Sequence, residues 1–174
     1  YEQKYSIDYV RCITEDKYGN IWLGTIMNGI YCLDNTGNIT PYTMEKTGML
    51  TNSITTFSCA DGINLYIGTS SGLYCMNTET KEISLLENNN SASNLFEEVH
   101  INCIYQDTRG LLWIGTRKGM DVYNKNTKER IHLSTKNGLS HDYIQAITED
   151  KEKNIWVTTD HGVTNIIATN SPEP

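Results

Sequence analysis

Adjacent carboxylates are the first residues in this sequence that could carry out acid–base chemistry. Asp16 and Asp150 each follow a glutamate, and Asp107 occupies the corresponding place elsewhere in the chain. Two carboxylates with different pKa values can serve as general acid and general base. These aspartates, however, recur beside turn residues such as Gly19 and Gly110, whereas a catalytic pair is expected once. Because aspartate accepts hydrogen bonds from turn N–H groups, we predict that all three form turns.

Histidine and cysteine are present without the spacing of a nucleophilic or metal site. The four histidines share no repeated position, and the sequence contains no C-x-x-C or H-x-x-x-H pattern. Five cysteines cannot all pair within one chain. Cysteines occupy two repeated positions, where other copies carry residues such as alanine, threonine or valine: Cys12 and Cys103 at one, Cys32 and Cys75 at the other. We therefore predict buried, unpaired thiols, no metal and no cofactor.

Tryptophans and glycines recur together and allow two further functional interpretations. Trp22, Trp113 and Trp156, with Tyr66 at the fourth position, could form a platform for sugars. Glycines follow two residues later at Gly24, Gly68 and Gly115. A phosphate-binding loop is disfavoured, because neither a helix nor G-K-[ST] follows these glycines. The aromatic residues lie inside β-rich runs, so we predict that they pack between sheets.

The charge of the chain disfavours nucleic acid as a partner. The 174 residues carry 14 Lys and Arg against 21 Asp and Glu, a formal net charge of −7, and no basic cluster is present. A nucleic-acid surface needs such a cluster. No stretch of 18 apolar residues occurs, so the sequence itself predicts no membrane span. No signal peptide is visible, although the segment could belong to an exported protein from which the signal has been removed.

The aromatic positions belong to a repeat that covers the chain. Trp22, Tyr66, Trp113 and Trp156 lie 44, 47 and 43 residues apart, and each lies in a short β-rich run that ends in threonine. A period near 44 fits either paired helices or four-stranded propeller blades. The runs between turn signals are only 4–6 residues long and lack helical spacing, which excludes the helical alternative.

Each repeat resolves into four predicted strands. In the first repeat these are Val10–Glu15, Ile21–Thr25, Gly29–Asp34 and Ile39–Thr43, which we call strands a, b, c and d. Strand b is apolar on both faces, so a sheet must cover each side, as in a propeller. The fold class is therefore all-β, with four four-stranded antiparallel blades in a partial propeller or small closed ring. The blade boundaries are about 8–52, 53–99, 100–142 and 143–168, and residues 1–7 supply the missing strand d of the last blade.

The repeat resembles the two-component regulator propeller repeat. The resemblance lies in Val10–Tyr31, Ile101–Asp121 and Ile144–Thr164, and more weakly in Ile54–Tyr74. The sequence departs from the pattern at three positions: Ala60, Tyr66 and Thr158. The resemblance implies a fragment of the periplasmic sensor region of a hybrid two-component histidine kinase. Such a protein reaches the membrane only through regions absent from this chain, and in gut bacteria it controls polysaccharide-utilisation genes.

The residues that differ between repeats are the candidates for recognition. They lie in the turns between strands b and c and in the connections between strands d and a, because loops on a rigid scaffold commonly carry binding residues. The d–a connections include Thr51-Asn52, Asn88–Asn94 and Ser140-His141. The candidate ligand-binding residues are Asn28, Ser71, Arg117, Lys118, Asp160 and His161. These side chains could bind an oligosaccharide, or they could simply be solvated turns.

Three functions remain open at this point. The first is a sensor segment without catalytic activity that responds to a glycan-derived signal. The second is an interaction module that dimerises through its blades and binds no small ligand. The third is a propeller enzyme such as a lyase, which would need a cluster of carboxylates or histidines that does not repeat. We expect self-association, because a four-blade segment leaves the apolar faces of its end blades exposed.

Overall fold

The computed structural model describes residues 7–86, 96 and 99–167, and these form short β-strands with two single helical turns. The helical turns are α1 (Met44–Thr47) and a 3₁₀ turn at Thr135–Asn137. The first eight strands are β1 (Val10–Glu15), β2 (Ile21–Thr25), β3 (Ile30–Leu33), β4 (Ile39–Tyr42), β5 (Ile54–Ser58), β6 (Asn64–Thr69), β7 (Gly72–Asn77) and β8 (Ile83–Leu85). The remaining seven are β9 (Ile101–Gln106), β10 (Leu111–Thr116), β11 (Gly119–Asn124), β12 (Glu129–Leu133), β13 (Ile144–Glu149), β14 (Ile155–Thr159) and β15 (Gly162–Ile166).

The strands form four antiparallel sheets in sequence order, which confirms the all-β blade architecture. Blade 1 is β1–β4, blade 2 is β5–β8, blade 3 is β9–β12, and blade 4 is β13–β15 within the described residues. The strand predicted to complete blade 4 falls almost entirely in residues 1–6, which lie outside the described part of the chain. In that described part, no helix is long and apolar enough to cross a bilayer.

The blades are grouped into two compact units. The first unit contains blades 1 and 2 and the second contains blades 3 and 4, with the boundary after Ile101. In the first unit, β1 and β2 contact β5, and Trp22 is buried in a cluster with Ile54 and Ile67. In the second unit β10 contacts β13, and Trp113 is buried with Ile147 and Val157. Each unit is therefore held together by an apolar interface between neighbouring sheets.

Glycine in strand b allows the two sheets of a unit to approach closely. A Cβ atom on Gly24 would lie 2.5 Å from Cys12 Sγ and 2.6 Å from Ile54 Cγ2. On Gly115 it would lie 2.5 Å from Cys103 Sγ and 2.7 Å from Ile144 Cγ2. Carbon atoms pack at about 3.5–4 Å, so a side chain at either position would push the sheets apart. The same contacts explain why small residues occupy the cysteine positions.

Burial along strand b differs between the blades. In β10 every residue from Leu112 to Thr116 is buried, as expected for a sheet covered on both faces. In β14 burial alternates, because Ile155 and Val157 are buried whereas Trp156 is 41% exposed. The prediction that Trp156 packs between sheets is therefore wrong in the described part of the chain, where its face of blade 4 is open to solvent. At the other end, Ile13 of blade 1 is 66% exposed.

Candidate functional site

The threonine at the end of each strand b fixes the turn that carries the predicted binding residues. Thr25 Oγ1 donates to the carbonyl of Gly29 at 2.8 Å and accepts from Asn28 N at 2.9 Å. Thr116 Oγ1 donates to the carbonyl of Gly119 at 2.8 Å and accepts from Lys118 N at 3.0 Å. Thr69 and Thr159 make the same two bonds. One hydroxyl therefore holds both ends of each turn.

Four of the six predicted binding residues consequently occupy one equivalent position. Asn28, Ser71, Lys118 and His161 each donate their backbone N–H to the threonine hydroxyl. Their side chains differ while the backbone beneath them is constant. Ser71 is half-buried, and the other three are exposed. A constant scaffold with exchanged side chains is the arrangement in which binding specificity can change without a change of fold.

In the first unit, both turns are anchored to consecutive residues of one connection. Gly29 N donates to the carbonyl of Asn52 at 3.0 Å, and Ser70 N donates to the carbonyl of Ser53 at 3.1 Å. The structure therefore brings the turns of Asn28 and Ser71 to the same place. The surface here is uncharged, with exposed apolar side chains nearby, since Met27 is 65% exposed. We call this the neutral turn cluster: residues 26–29, 51–53 and 70–71.

The second unit repeats the anchoring with different chemistry. Gly119 N donates to the carbonyl of Asp142 at 2.7 Å, and Asp160 N donates to the carbonyl of Tyr143 at 3.2 Å. The turns of the remaining four predicted residues therefore meet at one connection: Arg117, Lys118, Asp160 and His161. We call this the charged turn cluster: residues 117–119, 140–145 and 160–162.

Aromatic rings and charged groups lie side by side in the charged turn cluster. The His141 and His161 rings lie 4.4 Å apart with a tilt of 43°, and His141 Nδ1 accepts from Tyr143 N at 3.1 Å. The guanidinium carbon of Arg117 lies 5.9 Å from the centroid of the Tyr143 ring. Asp160 accepts a hydrogen bond from the Gln145 amide. His141 lies in one of the d–a connections that were predicted as places for recognition, whereas Tyr143 was not predicted, because it lies outside the turns between strands b and c. The predicted connection at 88–94 lies outside the described residues.

The recurring aspartates form turns, as predicted, and also bind the tryptophans. Asp16 Oδ1 accepts from the backbone N–H groups of Tyr18 and Asn20, while Oδ2 accepts from Trp22 Nε1 at 2.9 Å. Asp107 and Asp150 accept from Trp113 and Trp156 in the same way.

The spacing of aspartate and tryptophan in the sequence is a signal for this hydrogen bond. The aspartate lies six residues before the tryptophan in three blades. In blade 2, alanine replaces the aspartate at position 60 and tyrosine replaces the tryptophan at position 66. The aspartate and the tryptophan are therefore replaced together in blade 2.

The pKa values of Asp16 and Asp150 are lowered, as is typical of carboxylates with a structural role. Burial raises the pKa of Asp16, but hydrogen bonds from Asn20, Trp22 and the turn backbone outweigh burial and lower it overall. The hydrogen bond from Trp156 lowers the pKa of Asp150. A general acid at neutral pH needs a raised pKa instead. These carboxylates are therefore suited to accepting fixed hydrogen bonds and not to transferring protons.

The cysteines are unpaired, as predicted, but only Cys32 is fully buried, and the other four are half-buried. Burial raises the pKa of Cys12 and of Cys103 to about 12, and that of Cys59 to about 11. A nucleophilic or metal-binding cysteine needs the thiolate, which these environments disfavour. Within residues 7–86, 96 and 99–167, no group of three or more His, Cys, Asp or Glu is arranged to hold a metal ion.

A groove in the first unit lies apart from the predicted residues. Its volume is about 390 Å³, and its lining includes Tyr42, Lys46, Lys81 and Glu82. The Lys81 ammonium lies 4.6 Å from the centroid of the Trp22 ring and donates to the carbonyl of Thr78. The lysine is thus already engaged in contacts within the unit.

Three segments of the chain match the profile of a known family. The profile of the two-component regulator propeller family matches residues 4–27, 94–118 and 138–161. A search of the curated proteins gives no match. Among solved structures, the chain is similar to the extracellular domain of a protein described as the hybrid two component system BT3049 from B. thetaiotaomicron. Identity is 27% and the TM-score is 0.73, over 95% of this chain and 21% of that one.

Two further structures show how widely the fold is used. The extracellular domain of a system described as BT4673, also from B. thetaiotaomicron, is 23% identical with a TM-score of 0.55, over 98% of this chain and 29% of that one. Virginiamycin B lyase from Staphylococcus aureus is 16% identical with a TM-score of 0.65, over 99% and 59%. At these identities the likeness shows the fold alone. The chain spans less than a third of the length of either extracellular domain.

Proposed function

Because the chain carries two-component regulator propeller repeats, we propose that it is a non-catalytic, extracytoplasmic sensor segment of a signal-transduction protein, and that it binds or relays a glycan-derived signal. The observation that carries the proposal is the pair of turn clusters. They hold different side chains on one hydroxyl-fixed backbone, next to repeats that resemble an extracellular sensor domain.

The charged turn cluster is the better candidate for the ligand site. Arg117 and Lys118 supply donors, Asp160 supplies acceptors, and His161 supplies either according to its tautomer. The rings of His141, His161 and Tyr143 offer flat surfaces against which the apolar face of a sugar can pack. Such a mixture of rigid rings and a few convergent polar groups is typical of small-molecule sites.

The proposed location follows from the same comparisons. The extracellular domains of two systems from B. thetaiotaomicron share this architecture, so we place the segment outside the cytoplasm, in the periplasm. In this proposal the parent protein is a sensor histidine kinase, and the membrane and kinase regions belong to the rest of that protein. Both turns of each cluster are hydrogen-bonded to one connection. A ligand that displaces this connection would therefore shift the turns of two neighbouring blades.

The test is a thermal-shift and calorimetric screen against neutral and acidic oligosaccharides. A ligand at a hundredfold excess over Kd stabilises the fold by about 2.7 kcal/mol, which is readily measured. Arg117→Ala and His161→Ala should abolish the shift, whereas Asn28→Ala in the neutral turn cluster should leave it unchanged. If no oligosaccharide shifts the melting temperature of the wild-type chain, glycan binding by this segment is refuted.

The exposed end faces favour a second candidate function, a protein-interaction module that self-associates. Ile13 is 66% exposed on blade 1 and Trp156 is 41% exposed on blade 4, whereas the equivalent residues of blade 3, Ile104 and Trp113, are buried. Apolar patches of this kind commonly mark interfaces. Sedimentation velocity decides this candidate, because a module of this type should give a stable dimer without any glycan, and a clean monomer would exclude it.

A further inference from the structure

Two adjacent cations of the charged turn cluster have no anionic partner among the described residues. Arg117 and Lys118 lie in the turn between β10 and β11, both are exposed, and neither forms an ion pair with any described residue. Arg109 and Arg130 of the same blade instead pair with buried aspartates, at 2.7 Å and 2.8 Å. Acidic residues outnumber Lys and Arg by 21 to 14 in this chain, yet none neutralises this turn. The two cations are therefore available to an anion from outside the chain.

One carboxylate of the cluster, Asp142, serves as a cap for the neighbouring 3₁₀ turn. Its Oδ1 accepts from Thr135 N at 2.7 Å, and its Oδ2 accepts from Thr135 Oγ1 at 3.4 Å. In the first unit an uncharged residue has the same task, since Asn52 Oδ1 accepts from Met44 N at 2.7 Å. The cap therefore needs an acceptor and not a charge, and Asp142 is engaged by the protein itself.

The other carboxylate lies on the second turn of the cluster, so the site has a positive and a negative side. Asp160 belongs to the turn between β14 and β15, where it accepts a hydrogen bond from the Gln145 amide. On the positive side, the Arg117 guanidinium carbon lies 5.9 Å from the centroid of the Tyr143 ring. Attraction to the ring restrains the guanidinium while its N–H groups stay able to donate.

The histidine between the two sides is a further donor. His141 Nδ1 accepts from Tyr143 N at 3.1 Å, so in this arrangement the ring is neutral and carries its hydrogen on Nε2. The ring of His161 lies 4.4 Å away. The equivalent positions in the neutral turn cluster carry the small residues Thr51 and Ser71. The second unit thus has rings and N–H donors where the first has hydroxyl groups.

We propose that the charged turn cluster recognises acidic oligosaccharides, whose carboxylate or sulfate group binds Arg117 and Lys118 while the sugar hydroxyls bind His141 and Asp160. This assignment rests on the proposed glycan-sensing function and names the chemical class of its ligand. The guanidinium fork matches two oxygens of a carboxylate or sulfate, and such charge-assisted hydrogen bonds are the strong ones. A neutral sugar would leave both charges unmatched. The neutral turn cluster contains no charged residue, so it lacks this selectivity.

The test is calorimetric titration of the full chain with two matched pairs of oligosaccharides. One pair is an oligogalacturonide and its carboxyl-reduced form, and the other is a sulfated galacto-oligosaccharide and its desulfated form. The charged member of at least one pair should bind about tenfold or more tightly than its uncharged partner. The difference should shrink as the salt concentration rises, because exposed charges are screened. The pair that shows the preference tells whether the ligand group is carboxylate or sulfate.

Substitutions then test which residues hold the anion. Arg117→Gln and Lys118→Gln should each weaken binding of the charged oligosaccharide by about tenfold and leave the affinity for the uncharged partner nearly unchanged. Lys151→Gln is the matched control, because it removes one exposed positive charge from blade 4 at the far end of β14 from Asp160. It should leave both affinities unchanged. Circular dichroism and melting curves check that all three variants are folded.

The outcomes separate this assignment from the sensor proposal. Equal affinity for the charged and uncharged members of both pairs would overturn the preference for acidic ligands and leave glycan sensing intact. Equal weakening by Lys151→Gln and Arg117→Gln would show that only the overall charge of the chain matters, which also overturns it. If none of the four oligosaccharides binds, both proposals fail together.

Discussion

Blades 3 and 4 carry nearly the same strand b motif, yet one tryptophan is enclosed and the other faces water. Trp113 is 5% exposed and Trp156 is 41% exposed, although both lie at the same place in a hairpin and both donate to an aspartate six residues earlier. The hairpin alone therefore fixes the position of the ring and its polar bond. The neighbouring sheet fixes whether the ring contributes a hydrophobic interface.

The largest expected contrast is in the tryptophans themselves. Trp113→Ala should lower the free energy of unfolding by about 3–5 kcal/mol, because it opens a cavity in the interface between blades 3 and 4. Trp156→Ala should cost only about 1 kcal/mol, since its ring is already partly hydrated. Chemical denaturation of both variants measures the difference. Equal losses would mean that the exposed side of blade 4 around Trp156 is covered in solution.

Gly115 of blade 3 allows a second test of the covered interface. Gly115→Ala should cost about 1–3 kcal/mol through overpacking, because its Cβ would lie 2.5 Å from Cys103 Sγ and 2.7 Å from Ile144 Cγ2. Adding Cys103→Ala gives position 115 an alanine as its cross-strand neighbour, as Thr158 has in Ala146. This second substitution should recover part of the lost stability. The loss of stability that remains in the double variant measures the contact between position 115 and Ile144 of blade 4. Full recovery in the double variant would contradict the close approach of Ile144.

Removing the aspartate of blade 3 should also cost more stability than removing that of blade 4, but the difference should be smaller than for the tryptophans. Asp107→Ala leaves the buried Trp113 N–H without its acceptor and removes the acceptor of two turn N–H groups, which should cost about 2 kcal/mol. Asp150→Ala should cost less, because water can reach the N–H of the exposed Trp156. Urea unfolding at neutral pH compares the two variants, with Glu79→Ala as a control for the loss of an exposed acidic residue outside the tryptophan-binding turns.

The smallest expected effect concerns pH. The hydrogen bond from Trp156 lowers the pKa of Asp150 below its ordinary value of 3.8. A carboxyl group with a lowered pKa in the folded state stabilises the fold above its unfolded pKa, and that stabilisation is lost as the pH falls towards the folded pKa. Trp156→Phe should raise the pKa of Asp150 and flatten the loss of stability in acid.

Carboxyl resonances followed by NMR over the acidic range report the pKa of Asp150 directly. Asp34 is an internal reference, because the Thr36 hydroxyl bond, with further bonds from Asn38 and the turn backbone, lowers its pKa to about 2. It should be unaffected by Trp156→Phe. An unchanged titration of Asp150 in that variant would show that the turn backbone sets its pKa without the indole.

Local features were predictable from the sequence because each depends on residues close together in the chain. The bounds of β1 and β2 agree with the predicted strands, and the aspartates form the predicted turns. The two short helical turns had no periodic signal, since Met44–Thr47 makes only one turn. The burial of Trp156 was mispredicted because burial depends on which sheet lies opposite, and repeat position does not encode that.

The candidate site was predictable only in part for the same reason. The turns that carry Arg117 and His161 were found from their variation between repeats. The contact between the rings of His161 and His141 was not predicted, because the orientation of two side chains 20 residues apart depends on how neighbouring blades pack. The role of the threonine hydroxyls was also missed, since a conventional strand-ending threonine gives no sign that its side chain spans the turn.

The anchoring of neighbouring turns to consecutive residues has a mechanical consequence. The turns of blades 3 and 4 are bonded to the carbonyls of Asp142 and Tyr143, which are joined by a single peptide unit. The two carbonyls lie on consecutive peptide units that meet at the Cα atom of Tyr143, so a displacement of this short connection moves the hydrogen-bond acceptors of both turns. A ligand that shifts the turn of one blade can therefore shift the turn of the neighbouring blade in the same unit.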